Sequence, residues 1–147
     1  MTASVAQLVD HFRRVHIERM QGMPILNPAL EVQAVGFREL EEHLLGVLIT
    51  PWFMNLVLLP GSEEWSEREQ GKRIRVVLPH EEIDFNVTHD DAIGTHLTAV
   101  LFRTVADFPD QDTAVEIATE IMKTLFVPPE KPEEPKLSRR QLFTRIE

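Results

Sequence analysis

The chain has 147 residues, 43% of them hydrophobic and 27% charged, which fits one soluble globular domain with one core. Its net charge of -9 argues against nucleic acid as a partner, and the lack of cysteine excludes disulfides, thiolate-bound iron–sulfur clusters and sulfur-ligated zinc. No apolar run reaches the roughly 18 residues that span a bilayer, because Thr50, Pro51 and Asn55 interrupt the best candidate, residues 44–60.

Residues 4–21 predict a helix. Val5, Leu8, Val9, Phe12 and His16 fall at helical spacing on one face, and Gly22 and Pro24 end it. The segment MPILNPAL carries two prolines and reads as a turn or extended connection. Strands are expected at residues 32–37, 44–50 and 55–59, the last closed by Pro60-Gly61. A charged connection carrying Trp65 follows. Two period-two segments then appear, Ile74, Val76 and Leu78 alternating with Arg73, Arg75 and Val77, and Ile83, Phe85 and Val87 alternating with Asp84, Asn86 and Thr88. Residues 96–102 add a further strand.

Residues 112–126 predict a second helix, with Ala114, Ile117, Ala118, Ile121 and Leu125 as its apolar stripe. Thr113 and Glu116 have capping-box spacing, and Asp110 and Asp112 suit a helix N-terminus. The expected architecture is α+β, a two-layer sandwich in which a mostly antiparallel sheet of about five or six strands is flanked by an N-terminal and a C-terminal helix covering one face. Residues 1–127 are read as one domain. Residues 128–147, rich in proline and charge, are read as a disordered or loosely attached tail.

The most informative run is GVLITPWFMNLVLLPG at residues 46–61. Pro51, Trp52, Phe53 and Met54 stand at a strand break, where polar turn formers are usual. Pro51 cannot donate to a ladder, so the strand ends, bulges or lies at an edge there. The large side chains then face the core or a partner. Core packing is the common fate of such residues, yet they are also the types enriched in protein interfaces.

Chemistry is poorly represented. No GxSxG, HExxH or phosphate-cradling glycine pattern occurs, so no catalytic residue is assigned. His89, Asp90, Asp91 and His96 form the densest set of metal-type donors, but with no recognised ligand spacing a solvated turn before Gly94 is the favoured reading. His11 and His16 diverge by about 140° on a helix and would share a site badly. The C-terminal Ser138-Arg139-Arg140-Gln141-Leu142-Phe143 is twin-arginine-like but lies at the wrong end for a signal. It reads as a basic tail, or as a segment that docks on the acidic body or mimics a client.

These residues carry a resemblance. Arg19-Met20, LNPAL (26–30), VQAVGF (32–37), LLGVLITPWFMNLVLLPG (44–61) and Trp65 resemble the HybE-type assembly chaperones of nickel–iron hydrogenases, with weaker echoes at Ile83-Asp84-Phe85, Ile93-Gly94 and the closing SRRQLF. The sequence departs from the family where relatives often carry a Cys-Ser-Leu-x-Ser-Pro stretch. Here Ala99-Val100-Leu101-Phe102-Arg103-Thr104 stands instead, so no thiolate role operates. The fused rubredoxin domain of some relatives is also missing from this sequence, which is expected to be the chaperone module alone.

The resemblance implies a cytoplasmic, non-enzymatic maturation chaperone without cofactor or metal. Its partner would be a hydrogenase large- or small-subunit precursor, perceived through the small subunit's twin-arginine leader or otherwise, with other maturation factors and a homodimer as further partners. No nucleic acid and no membrane insertion are expected. The client-binding set is Pro51, Trp52, Phe53 and Met54, with Arg139 and Arg140 as accessories. Two readings from the residues compete, a small His/Asp metal-binding protein and a purely structural dimerisation module with the Trp52 region in its interface.

Overall fold

The computed structural model describes residues 4–61 and 71–128. Trp65, Arg139, Arg140 and nearly all of the expected tail lie outside the described residues.

Helix α1 spans Val5–Val15. Its start is fixed by a capping box: the Ser4 hydroxyl accepts from the Gln7 amide at 3.2 Å, and the Gln7 side chain accepts from the Ser4 amide at 2.8 Å. The expected helix continues to residue 20, but His16–Met20 winds as a π-helical turn. Such turns are rare and concentrate at functional sites.

Six strands follow: β1 Gln33–Leu40, β2 His43–Thr50, β3 Phe53–Leu59, β4 Arg73–Val77, β5 Glu82–Asp90 and β6 Gly94–Phe102. They form one antiparallel sheet in the order β1-β2-β3-β6-β5-β4, with β1 and β4 at the edges. Helix α2, Gln111–Leu125, closes the fold. Its cap is Asp110, whose carboxylate accepts from the Thr113 amide at 2.8 Å. Thr113 is therefore inside the first turn, and the helix starts three residues earlier than the capping-box spacing suggested.

The α+β class and the antiparallel sheet agree with expectation. The layering differs. Leu45, Val47, Ile49, Met54, Leu56 and Leu58 face one side and pack with Ala114, Ala118, Met122 and Leu125 of α2. Leu48, Val57 and Leu59 face the other side and pack with Leu8 of α1, with Val5, Val9, Phe12, Leu44 and Phe53 around them. Side chains alternate faces along a strand, so the two helices lie on opposite sides of the sheet. The continuous apolar runs of β2 and β3 are the reason, since a strand covered on both faces cannot alternate with polar residues. Strands β4 and β5 do alternate, and their α1-side residues Arg73, Arg75, Asp84 and Asn86 are exposed.

Two glycines allow this packing. Gly36 adopts φ +69° at the bulge between Val35 and Arg38, where an added Cβ would lie 3.1 Å from Met122 of α2. Gly61 passes against the carbonyl of Glu42 in the β1–β2 turn, leaving no room for a Cβ. That turn holds Glu41 at φ 49° and Glu42 at φ 76°. Asn and Gly are the usual occupants of such a turn, and glutamate there is strained.

Candidate functional site

Two residues, Pro51 and Trp52, turn β2 into β3 between the paired Thr50 and Phe53. The buried Thr50 hydroxyl organises this turn. It accepts from the Trp52 amide at 3.2 Å and the Phe53 amide at 3.0 Å. Proline presets the first turn dihedral and leaves no amide to satisfy. The Pro51 carbonyl accepts from the Asn27 amide at 2.8 Å. Here the LNPAL segment meets the ITPWFM segment.

Asn27 is the hub of this end of the molecule. Its side chain is buried and donates to the Val105 carbonyl at 2.8 Å and the Phe108 carbonyl at 3.0 Å, while its oxygen accepts from the Ala29 amide at 2.9 Å. Sequence reasoning read this segment as a turn or extended connection and as part of the family resemblance, not as a hub. The signal available was Asn followed by Pro28, in which the amide side chain holds its own turn.

The four residues expected at the break divide. Met54 is 0% exposed and points into the α2-side core. Pro51 is buried as well. Neither presents a surface in this fold, because the turn tucks Pro51 under Asn27 and strand alternation sends Met54 inward. Trp52 and Phe53 are half-buried. The Trp52 ring lies 5.6 Å from Phe53, 6.5 Å from Phe12 and 5.9 Å from His16, centroid to centroid. Phe12 meets Phe53 edge-on at 5.6 Å. The turn thus leans on the end of α1 and on the first residue of the π-helical turn, leaving part of the indole in solvent.

A second cluster sits higher on α1. His11 Nε2 lies 3.0 Å from Asp90 Oδ2, and the other Asp90 oxygen accepts from the Ala92 and Ile93 amides at 2.8 and 3.2 Å. Burial would raise the Asp90 carboxyl, but these two amides, together with His11 and His96, hold it below its ordinary value. His96 is 3% exposed and its Nδ1 donates to the Gly94 carbonyl at 3.0 Å. Burial depresses its pKa, against the opposing pull of Gly94 and Asp90. His89 turns away to Thr95 Oγ1 at 2.7 Å. Asp90 and His96 therefore serve the turn and the helix contact, His89 bonds across the β5–β6 ladder, and Asp91 is exposed. Among the described residues no group of three or more such side chains has metal-holding geometry. Sequence reasoning weighed His11 only against His16 and missed its contact with Asp90, although it stands three residues after Leu8 on the buried face. Beside this pair an open cleft of ≈ 660 Å³ is lined by His11, Arg14, Glu18, Arg19 and Asp91.

The model of the family described as NiFe-hydrogenase assembly, chaperone, HybE matches residues 3–145. The chain belongs to this family. It is 36% identical to the hydrogenase expression/formation protein HupT of Azotobacter chroococcum mcd 1, over 95% of this chain and 93% of that one. It is 37% identical to HoxT of Azotobacter vinelandii, over 95% and 94%. Against the probable rubredoxin HupJ of Rhodobacter capsulatus it is 38% identical over 84% of this chain, but spans only 45% of that protein. The solution structure of HybE from Escherichia coli matches with a TM-score of 0.66 at 23% identity, over 92% of this chain and 85% of that one. That likeness concerns the fold. The HybE family is one of assembly chaperones. No helix among the described residues is long and apolar enough to cross a membrane.

Proposed function

We propose that this protein is a cytoplasmic assembly chaperone that holds an immature large or small subunit of a nickel–iron hydrogenase until its cofactors are in place and export can follow. The twin-arginine leader of the small subunit is one segment it would hold. The protein does this by binding, without catalysis. Residues 1–127 act as the binding domain, with Trp52 and Phe53 at the contact, Pro51 and Met54 shaping the turn from beneath, and Arg139 and Arg140 of the 128–147 tail as accessories.

The observation that supports this reading best is the half-buried Trp52–Phe53 turn, braced by Thr50 and Asn27, in a chain whose residues 3–145 match the HybE family model. Aromatic side chains held rigidly at a surface lose little entropy on binding and are frequent hot spots. The test is a pull-down with the full chain from cells expressing the hydrogenase genes, read by mass spectrometry. Recovery of a large- or small-subunit precursor, weakened by Trp52→Ala, is expected. Recovery of the chain alone, while those subunits are expressed, would overturn the reading.

A further inference from the structure

We infer that the open edge of the sheet at β4 is paired by a strand from this chain's own tail, residues 141–146. The inference is independent of the reading of Trp52, whose turn opens β3, three strands from β4 across the sheet.

The backbone of β4 is only half used. Successive residues of an antiparallel ladder bond alternately to one side and the other. The Val87 amide donates to the Lys72 carbonyl at 2.9 Å, and the Leu78 amide to the Glu81 carbonyl at 3.1 Å. With Ile74 opposite Phe85 and Val76 opposite Ile83, this phase turns Lys72, Ile74, Val76 and Leu78 toward β5. The amides and carbonyls of Arg73, Arg75 and Val77 therefore face outward, where no strand among the described residues pairs with them.

The other edge is guarded. β1 is bent by its bulge at Gly36, and the Gln111 side chain binds the Glu31 amide and the Gln33 side chain beside it. β4 has no bulge and no proline, and its Arg75 is held on the body by Asp84 at 3.1 Å and Glu82 at 3.5 Å. Its apolar side chains are incompletely covered. Ile74 and Val76 are half-buried against the α2-side core, and Val77 is 67% exposed.

Where the chain leaves the fold selects the occupant. The His80 amide donates to the Leu125 carbonyl at 3.1 Å, and His80 Nδ1 lies 3.2 Å from the Val127 carbonyl. His80 belongs to the turn between β4 and β5, so the end of α2 is pinned beside the last residues of β4. Residues 129–147 continue from that point, outside the described residues. Pro128, Pro129, Pro132 and Pro135 cannot donate to a ladder, but no proline follows them. A proline-rich connection advances about 3.1 Å per residue. Residues 128–140 therefore reach past a strand of about 17 Å, and 141–146 can lie along β4 in either direction. Such a tether holds the segment at an effective concentration of roughly 1 mM, which a short pairing needs.

The segment also fits the edge. In Gln141-Leu142-Phe143-Thr144-Arg145-Ile146, Leu142, Thr144 and Ile146 fall on one face of a strand and Gln141, Phe143 and Arg145 on the other. The first set would extend the apolar side formed by Ile74 and Val76, and the second would meet Val77 and the carboxylates of Glu82 and Asp84. Lys136, Arg139, Arg140 and Arg145 stand against Glu147 alone, on a chain of net charge -9. The family model runs to residue 145, so most of this segment belongs to the pattern the family shares. Arg139 and Arg140 come just before the strand and stay outside the pairing.

Hydrogen exchange of the full chain, read amide by amide by NMR, tests this. Ile74 and Val76 are protected by β5 in any case and report that the sheet is folded. The comparison is a full-length variant carrying Leu142→Pro and Phe143→Pro, because adjacent prolines remove a donor whichever of the two faces β4. In the unaltered chain Arg73, Arg75 and Val77 should exchange about tenfold or more slowly than in this variant, with Ile74 and Val76 alike in both. Free exchange at Arg73, Arg75 and Val77 in the unaltered chain would overturn the inference. Protection that survives the prolines would overturn it as well, and its loss on dilution would then assign the edge to a second copy. Precursor capture plays no part in this readout, so failure here leaves the chaperone reading standing, and failure of the pull-down leaves this one.

Discussion

The amide of Asn27 donates to the carbonyl of Pro51 at 2.8 Å and so locks the α1–β1 connection to the β2–β3 turn. The Asn27 side chain simultaneously reaches the 105–108 loop. Asn27→Ala leaves the Val105 and Phe108 carbonyls without their donor and loses the Ala29 contact. At about 1 kcal/mol per bond, plus some cost for buried groups left unpaired, it should destabilise the domain by roughly 2–4 kcal/mol. Urea denaturation checks this, and an unchanged midpoint would show that water replaces the side chain.

Trp52→Ala should leave a folded protein. The ring is only half-buried, and its partners Phe12 and Phe53 keep other contacts. A loss of about 1–2 kcal/mol is expected from the buried part of the indole. Precursor capture should fall much further than stability does. Circular dichroism and the pull-down, run on the same preparation, distinguish the two; a variant that unfolds would make Trp52 a core residue.

Acid should weaken the α1 contact in two steps. His96 in the folded protein lies below its ordinary value of 6.5, so the unfolded chain binds the extra proton first as pH falls. Its contribution to stability is therefore complete above about pH 6.5 and declines below it. Asp90 lies below its ordinary 3.8, so its contribution is present above that value and disappears as pH falls through the folded one. Melting temperatures should be flat from pH 8 to about 7 and then fall, and His96→Gln should remove the first decline. A profile that declines identically in this variant would place the titrating group elsewhere.

Asp90→Ala should cost more than Asp90→Asn. Both lose the charge facing His11, but asparagine retains an oxygen for the Ala92 and Ile93 amides. The alanine variant leaves those donors unpaired in a partly buried turn, for about 1–3 kcal/mol. Amide exchange in residues 5–15 should quicken in both variants, because α1 loses its tether to the β5–β6 turn. Unchanged protection would mean that Leu8 and its apolar neighbours hold the helix alone.

Gly61→Ala is expected to be severe. The new methyl group would collide with the backbone carbonyl of Glu42, which cannot rotate aside as a side chain would. Relief requires moving a turn already strained at two positive-φ glutamates. A loss of roughly 3 kcal/mol or more, or failure to express as a folded chain, should follow. Near-normal thermal melting would show that the turn has a second low-energy arrangement.

Much of the fold was legible locally. The alternation of Ile83, Phe85 and Val87 with Asp84, Asn86 and Thr88 marks β5, and the helical spacing of Val5, Leu8, Val9 and Phe12 marks α1. The LNPAL and ITPWFM stretches carry the resemblance to the HybE family. The π-helical turn at His16–Met20 was not legible, since its residues continue a helical pattern and nothing local tells five-residue from four-residue winding.

By itself, then, the sequence determined which segments are helix or strand, that the sheet is antiparallel, and which family the chain joins, because periodicity, capping and motif are encoded in near neighbours. Only the tertiary structure decided that α1 and α2 take opposite faces, that Met54 is core while Trp52 reaches the surface, and that Asn27 serves as a hub. These outcomes depend on partners far along the chain. Asn27 bonds to Val105 across 78 residues, and His11 meets Asp90 through the pairing of strands between them. Such contacts are chosen by how whole layers pack, and a pattern read within a few residues carries no record of that choice.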